Sequence, residues 1–291
     1  MPEGDSVFRV AAQLQQVLGG RVLTLADLRV PAHATADLVG RRVLEVAPRG
    51  KHLLTRLDGG LTLHTHLRMD GRWKVFTAGE RWTGGADWQI RAVLGTAGHT
   101  AVGYRLPVVE LLPTAQEEST VGHLGPDLLG PGWDAEEALR RLLAQPERPI
   151  APALLDQRNL AGIGNVYANE LCFMAGVTPW TPVGQVARLD RVVVLAHRLL
   201  GLNRLRHGHV TTGDTRVDRR HWVYGRARQP CRRCGTPVRT TGFGAAGPGA
   251  SAQDRIVFWC PRCQSGPTGA STDGAGGSRT TEGQTRRRRL V

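Results

Sequence analysis

The sequence predicts an α+β protein in three parts: a β-sandwich headed by a helix, a helical region, and a small β unit built around cysteines. Three observations predict it. Short alternating apolar segments fill the first part and are broken by turn signals such as Asp58-Gly59-Gly60 and Ala97-Gly98. That rhythm belongs to antiparallel sandwiches or barrels rather than to βαβ units. Near Gly130-Pro131-Gly132 the apolar period changes from strand-like to helix-like. Beyond the helices come two Cys-x-x-Cys pairs.

Taken in order, Val7, Phe8, Val10, Ala11, Leu14, Val17 and Leu18 recur at helical spacing, and Gly19-Gly20 stops the run. A helix over 5–18 follows. Strands are expected over 21–28, 41–47, 51–57, 61–67, 72–76, 89–95, 99–105 and 108–112. Helical periodicity marks 134–145, 149–160, 165–175 and 185–206. Asp134 with Glu137 three residues on reads as an N-terminal capping pair. These boundaries divide the chain into 1–130, 131–225, a cysteine-rich unit at 226–264, and a tail at 265–291. The tail is Gly, Ser, Thr and Pro closed by Arg286-Arg287-Arg288-Arg289, too poor in apolar residues to fold, and is expected to be disordered.

The 291 residues carry 38 basic and 25 acidic side chains, a net charge of +13. At 41% hydrophobic and 22% charged, the composition excludes a disordered or fibrous chain. Only Lys51 and Lys74 among the basic residues are lysines. Residues 1–214 are nearly balanced, whereas 215–264 set ten arginines against Asp218 and Asp254. A basic module on a neutral body suits a polyanion, either nucleic acid or an anionic membrane surface. No stretch approaches the roughly 18 to 20 apolar residues of a membrane span. Met1-Pro2-Glu3-Gly4-Asp5 has no basic or apolar leader, so an intracellular protein is expected. There, cysteines serve as thiols or metal ligands rather than disulfides.

Cys231-Arg232-Arg233-Cys234 and Cys260-Pro261-Arg262-Cys263 fit one tetrahedral zinc site, because two-residue spacing lets both sulfurs of a turn reach one ion. With no histidine and no open position, such a site is structural. The 25 residues between the pairs exceed the usual spacing of about 15–20, and the excess falls in the Gly-rich run 242–249. Arg239 and Arg255 lie between the pairs, as on a hairpin suited to a DNA groove. Spacing alone leaves other zinc ribbons open. Cys172 sits in an apolar stretch and reads as core.

Once Met1 is removed, Pro2 presents a secondary amine just ahead of a helix N-terminus. The positive end of the helix dipole disfavours the ammonium form and favours a nucleophilic amine. Attack on a sugar C1′ gives an iminium ion, an electron sink for elimination. Glu3 beside it can handle the proton, although an acid near a helix start is also stabilising in itself. Lys51, in Pro48-Arg49-Gly50-Lys51-His52-Leu53-Leu54, is a lysine in a chain that otherwise uses arginine for charge. It is either a compact amine tuned for proton transfer or a chance survivor.

Together the start Pro2-Glu3-Gly4-Asp5, the segment Gly50-Lys51-His52-Leu53-Leu54 and the paired Cys-x-x-Cys unit resemble the formamidopyrimidine-DNA glycosylase/endonuclease VIII family. The strongest local match runs from Leu155-Asp156-Gln157-Arg158-Asn159 through Gly162-Ile163-Gly164-Asn165 to Glu170, which resembles the family's helix–two-turn–helix. The resemblance extends from Pro2 to about Gln264. It implies an N-terminal β-sandwich headed by a catalytic helix, then a helix–two-turn–helix domain with a C-terminal β-hairpin zinc finger holding one structural Zn2+. It also implies a bifunctional glycosylase and abasic-site lyase of base excision repair. By the same resemblance, Pro2 is the Schiff-base nucleophile and Glu3 protonates the sugar or leaving base. Lys51 assists β-elimination by proton donation or phosphate contact, and Arg255 contacts phosphate and assists δ-elimination. Asn165 binds phosphate, helped by exposed amides at the start of its helix. Met69, in His66-Leu67-Arg68-Met69-Asp70-Gly71, inserts into DNA when a base is flipped out; the alternative is a buried core methionine.

Substrate choice is less legible. Around Gly103-Tyr104-Arg105-Leu106-Pro107 the Asp-Pro-Arg-Arg-Phe-Gly run of the formamidopyrimidine branch is missing, although Met69 is the wedge that branch uses. The whole looks like a bacterial endonuclease VIII-like subgroup acting on oxidised pyrimidines and abasic sites in double-stranded DNA. The implied enzyme is a cytoplasmic, nucleoid-associated monomer without a membrane partner. The competing readings are a formamidopyrimidine/8-oxoguanine-preferring glycosylase, a zinc-dependent DNA-binding protein without catalysis, and a zinc-ribbon RNA binder. The last two leave Pro2, Glu3 and Lys51 without a purpose.

Overall fold

The computed structural model describes residues 2–243 and 256–269. Helix α1 (Gly4–Leu18) leads into two four-stranded antiparallel sheets. One has the order β2 (Val43–Arg49), β3 (His52–Leu57), β4 (Leu61–His66), β8 (Val108–Pro113). The other has the order β1 (Leu25–Leu28), β6 (Ile90–Gly95), β7 (His99–Tyr104), β5 (Arg72–Thr77). Val7, Ala11, Leu14 and Leu18 of α1 share a core with Val43, Leu53, Leu63, Trp73 and Leu94 from the two sheets. Burying each such side chain stabilises by about 1.5–3 kcal/mol before entropy is counted, so α1 is a structural part of the sandwich.

Strand register gathers three connections at one end of this sandwich. Arg49 pairs with His52, His52 with His66, and His66 with Val108. The β2–β3 turn holding Lys51, the β4–β5 connection holding Met69 and the β7–β8 connection holding Arg105 therefore share that end. The same end meets the helical region: Gly50, at φ +57°, packs on Ala161, and its amide donates to Asp127 Oδ2 at 2.7 Å.

The second core lies among α3 (Ala135–Leu143), α4 (Ile150–Leu155), α5 (Asn165–Ala175) and α6 (Leu189–Asn203), with Leu142, Leu154, Leu171, Val193 and Leu200 at its centre. A short hairpin of β9 (Arg239–Gly242) and β10 (Ile256–Trp259) packs beside α5, where Phe173 and Val223 join Cys231, Val238 and Cys260. Among the described residues no helix is long and apolar enough to cross a membrane.

Several elements differ from the sequence expectation. The helix expected over 149–160 stops at Leu155, because Asp156 turns its carboxylate onto the Arg158 amide and onto Arg148 and Arg158, closing a local turn. Asp134 caps α3 through the Glu137 amide, but the Glu137 carboxylate pairs with Arg140 and Arg141 rather than reaching back. A further short helix, α2 (Glu117–Val121), has no periodic signal in the sequence; its Glu117 is held by Arg56 and Thr62. The expected disordered tail begins too early: Ser265 pairs with Val177, and its carbonyl accepts from the Thr178 amide. Residues 270–291, with the closing arginines, lie outside the described residues, as does most of the Gly-rich run 242–249.

Candidate active site and metal centre

Glu3 is fully buried, and its carboxylate does not cap its own helix. It reaches α5 instead, accepting from the Gly164 amide at 2.6 Å, the Val166 amide at 2.7 Å and the Tyr167 amide at 3.4 Å. The anion received at the α5 N-terminus is thus a side chain of the protein itself, which corrects the expectation that these amides lie open for phosphate. Glycines permit the approach. A Cβ on Gly164 would sit 2.6 Å from Glu3 Cδ, and one on Gly4 would sit 2.9 Å from Gly162 Cα. The Gly4 amide donates to the Gly162 carbonyl at 2.8 Å, sealing the first residues against the two-turn segment. Burial pushes the Glu3 carboxyl above its ordinary range, against the charges of His209 and Lys51 and the Val166 amide. A raised carboxyl is able to hold a proton and deliver it. Pro2, half-buried, is the residue that this arrangement carries at the seam between the sandwich and the helices.

Behind Glu3 stands a polar network that sequence reasoning missed. Asp5 Oδ2 accepts from the Tyr167 hydroxyl at 2.6 Å and lies 2.8 Å from His209 Nδ1, with all three side chains buried. Burial alone would raise the Asp5 carboxyl; the His209 and Tyr167 hydrogen bonds outweigh it and hold it below the ordinary range. One turn further along α5, buried Glu170 accepts from the amides of Trp222, Val223 and Tyr224 and from the Thr211 hydroxyl. Asp5 and Glu170 thereby tie the segment after α6 to α1 and α5. The available signal was a set of ionisable residues inside otherwise apolar helical runs.

Lys51 lies in the β2–β3 turn, and its charge acts on Glu3 on one side and on His52 and His66 on the other. Met69 is exposed on the β4–β5 connection, not buried in the core. Arg68 beside it and Arg105 on the neighbouring connection both have left-handed backbone, φ 44° and 50°, and both are exposed. Such a conformation costs about 1–3 kcal/mol at a non-glycine residue, and it occurs twice at one rim. Arg105 could not be singled out from sequence, since only strand register sets its loop beside that of Met69.

Asn165 opens α5, as expected, and is buried. Its Nδ2 donates to the Ile256 carbonyl at 3.0 Å, and its Oδ1 accepts from Asn169 Nδ2. Asn169 Oδ1 accepts from the Phe258 amide at 2.7 Å. These two asparagines fasten β10 to the helix whose first amides hold Glu3. Arg255 lies immediately before β10 and outside the described residues.

The four finger cysteines converge. Their sulfurs all lie within 4.8 Å of one another, with Cys231–Cys263 at 3.9 Å and Cys234–Cys260 at 3.4 Å. Sulfurs bound tetrahedrally at about 2.3 Å from one zinc ion stand about 3.8 Å apart, whereas a disulfide needs about 2.05 Å. The donor set fits a structural zinc site and not a pair of disulfides. Cys172 is buried in the helical core, with its thiol pushed up to about 12 by burial.

Comparison with known proteins agrees with this geometry. Residues 1–105 match the family model of the formamidopyrimidine-DNA glycosylase N-terminal domain, and residues 124–200 match its H2TH domain. The chain is 59% identical over 269 residues to a probable endonuclease 8 2 of Streptomyces coelicolor, covering 92% of this chain and 95% of that one. It is 48% identical over 264 residues to the DNA-(apurinic or apyrimidinic site) lyase Nei2 of Mycolicibacterium smegmatis, covering 91% and 99%. The fold is shared with Lactococcus lactis Fpg (MutM), solved in complex with DNA containing an oxidised pyrimidine. That likeness has a TM-score of 0.74 at 21% identity, over 90% of this chain and 99% of that one. The two matching domain models and these relatives, with the N-terminal sandwich, the helix–two-turn–helix and the four-cysteine hairpin, place this chain in the formamidopyrimidine-DNA glycosylase/endonuclease VIII family of glycosylases and lyases, on its endonuclease VIII-like side.

Proposed function

We propose that this chain removes oxidised bases from double-stranded DNA, with a preference for oxidised pyrimidines, and cleaves the abasic site through a Schiff base on Pro2. The observation that carries this reading is the burial of Glu3 on the α5 amides, which holds the adjoining N-terminal amine at the seam of the two domains. Glu3 gives its proton to the departing base or sugar as the Pro2 nitrogen bonds to C1′ and the glycosidic bond breaks. The proton lost by the Pro2 nitrogen passes to O4′ as the C1′–O4′ bond opens, and the nitrogen then holds C1′ as an iminium ion. Loss of the C2′ proton then expels the 3′ phosphate in β-elimination, and a second elimination expels the 5′ phosphate. Lys51, charge-coupled to Glu3, supplies or receives protons in these steps or contacts a phosphate. Asn165 and Arg255 act at phosphates beside the finger, and Met69 fills the space of the flipped base, flanked by Arg68 and Arg105. One zinc ion held by Cys231, Cys234, Cys260 and Cys263 supplies no chemistry and fixes the hairpin. The enzyme works as a monomer in the bacterial cytoplasm.

Exposed Met69 favours one second reading, a preference for formamidopyrimidine and 8-oxoguanine lesions. Borohydride trapping on duplexes carrying an abasic site, an oxidised pyrimidine or 8-oxoguanine separates these readings by relative yield. The mature protein is expected to give a covalent adduct, and a form retaining Met1 none. No adduct on any of these duplexes would overturn the Schiff-base reading.

A further inference from the structure

A line of hydrogen-bonded groups runs from the surface of the sandwich to the Lys51 turn. Glu110, on β8 with a side chain 54% exposed, lies 2.9 Å through Oε2 from Nδ1 of His64 on β4. His64 is almost fully buried, and its Nε2 lies 2.9 Å from Nδ1 of His52 on β3. Cross-strand register makes the line: His64 stands opposite Glu110 and Leu54, and His52 begins the strand that Leu54 continues. His66 of β4 packs edge-on against His52, and His123 approaches from beyond the Glu117–Val121 helix. His66 is committed elsewhere, its Nδ1 accepting from the Arg68 amide at 2.9 Å.

Chemistry assigns the protons along this line. An ionised carboxylate only accepts, so His64 donates from Nδ1 and, when neutral, has a lone pair at Nε2. His52 must then donate from Nδ1, which leaves its own lone pair at Nε2. We propose that Glu110 and His64 lock His52 as the uncharged Nδ1–H tautomer, and that this line acts as a positioning relay setting the protonation of Lys51. The inference rests on the reading of Lys51 as an amine that acts on DNA. Burial, then the neighbouring His66, His64, His123 and Lys51, pushes His52 down to about 3, and burial with Lys51 pushes His66 down to about 4. Imidazoles that are uncharged at neutral pH therefore stand between the Lys51 turn and the Glu110 carboxylate. Removing the Glu110 charge destabilises the Lys51 ammonium relative to the free amine. Whichever limb of the pH profile reports Lys51 then moves to lower pH.

Two measurements on the full-length, zinc-loaded protein test this. Long-range 1H–15N spectra at pH 7 are expected to show His52 and His64 as neutral Nδ1–H tautomers, with the His52 lock lost in Glu110→Ala, which leaves His64 Nδ1 no acceptor there. A neutral Nε2–H tautomer or a charged imidazolium at His52 in the unsubstituted protein would overturn the proposal. In the second, the pH profile of abasic-strand cleavage in Glu110→Gln should move down by about half a pH unit. Glu147→Gln, which removes an exposed carboxylate elsewhere, should not move it. Superimposable profiles of the two variants would equally overturn the relay. Absence of any trapped adduct with the unsubstituted enzyme would instead remove the lyase reading, and the tautomers, read without DNA, would still decide the lock.

Discussion

The seam at Glu3 and the finger at β9–β10 are held by opposite means. At the seam, buried carboxylates meet helix amides, glycines let backbones touch, and two apolar cores flank the contact. The finger has two four-residue strands and a small core in which Cys231 and Cys260 are themselves members. A unit that small gains most of its order from its metal. The difference teaches that the two regions should answer differently to perturbation: the proposed reacting groups lie between two apolar cores, whereas the hairpin is small enough to need the metal that its four cysteines fit. The two regions are still not independent, since α5 holds Glu3 at its first amides and β10 through Asn165 and Asn169.

The sharpest break in the comparison comes from Glu3→Gln. Base removal should fall by about 10²- to 10⁴-fold with the loss of the proton donor, while cleavage of a pre-formed abasic site persists. Equal loss of both activities would mean that Glu3 only holds the seam together. Next in size, Cys260→Ser or chelation should weaken DNA binding by about 10- to 100-fold, through loss of the finger's phosphate contacts. The thermal transition of the sandwich should stay in place; its collapse alongside the finger would contradict the separation. Smaller still is the pH response of the sandwich. His52 and His66 fall from 6.5 in the unfolded chain to about 3 and about 4 in the folded one. Below about 6.5 the unfolded chain therefore binds protons that the folded chain refuses, and stability declines as pH drops towards those values. A melting temperature flat between pH 6.5 and 4 would contradict burial of neutral imidazoles at this end of the sandwich.

Much of the fold was legible because its signals are local. The expected strand over 61–67 and β4 (Leu61–His66) differ at one end only, and α5 begins at Asn165 where the Gly162-Ile163-Gly164 turn predicts. Pro2, Glu3, Lys51 and the cysteines could be picked out by residue type and spacing. What stayed hidden depends on pairs far apart in sequence. Glu3 and Gly164 are 161 residues apart, and the bland expectation for Glu3 was a favourable charge at its own helix. Asp5 with His209, and Glu110 with His64 and His52, become partners only once helix packing and strand register are known. Likewise, Asp156 ended α4 early because a local carboxylate turn outcompeted a periodicity that would have carried the helix further.

The central claim, that the processed N-terminus is the nucleophile, is tested most directly by peptide mass mapping of the borohydride-trapped complex. The account predicts the nucleotide remnant on the peptide that begins at Pro2. A remnant on the peptide containing Lys51, with the N-terminal peptide unmodified, would contradict it.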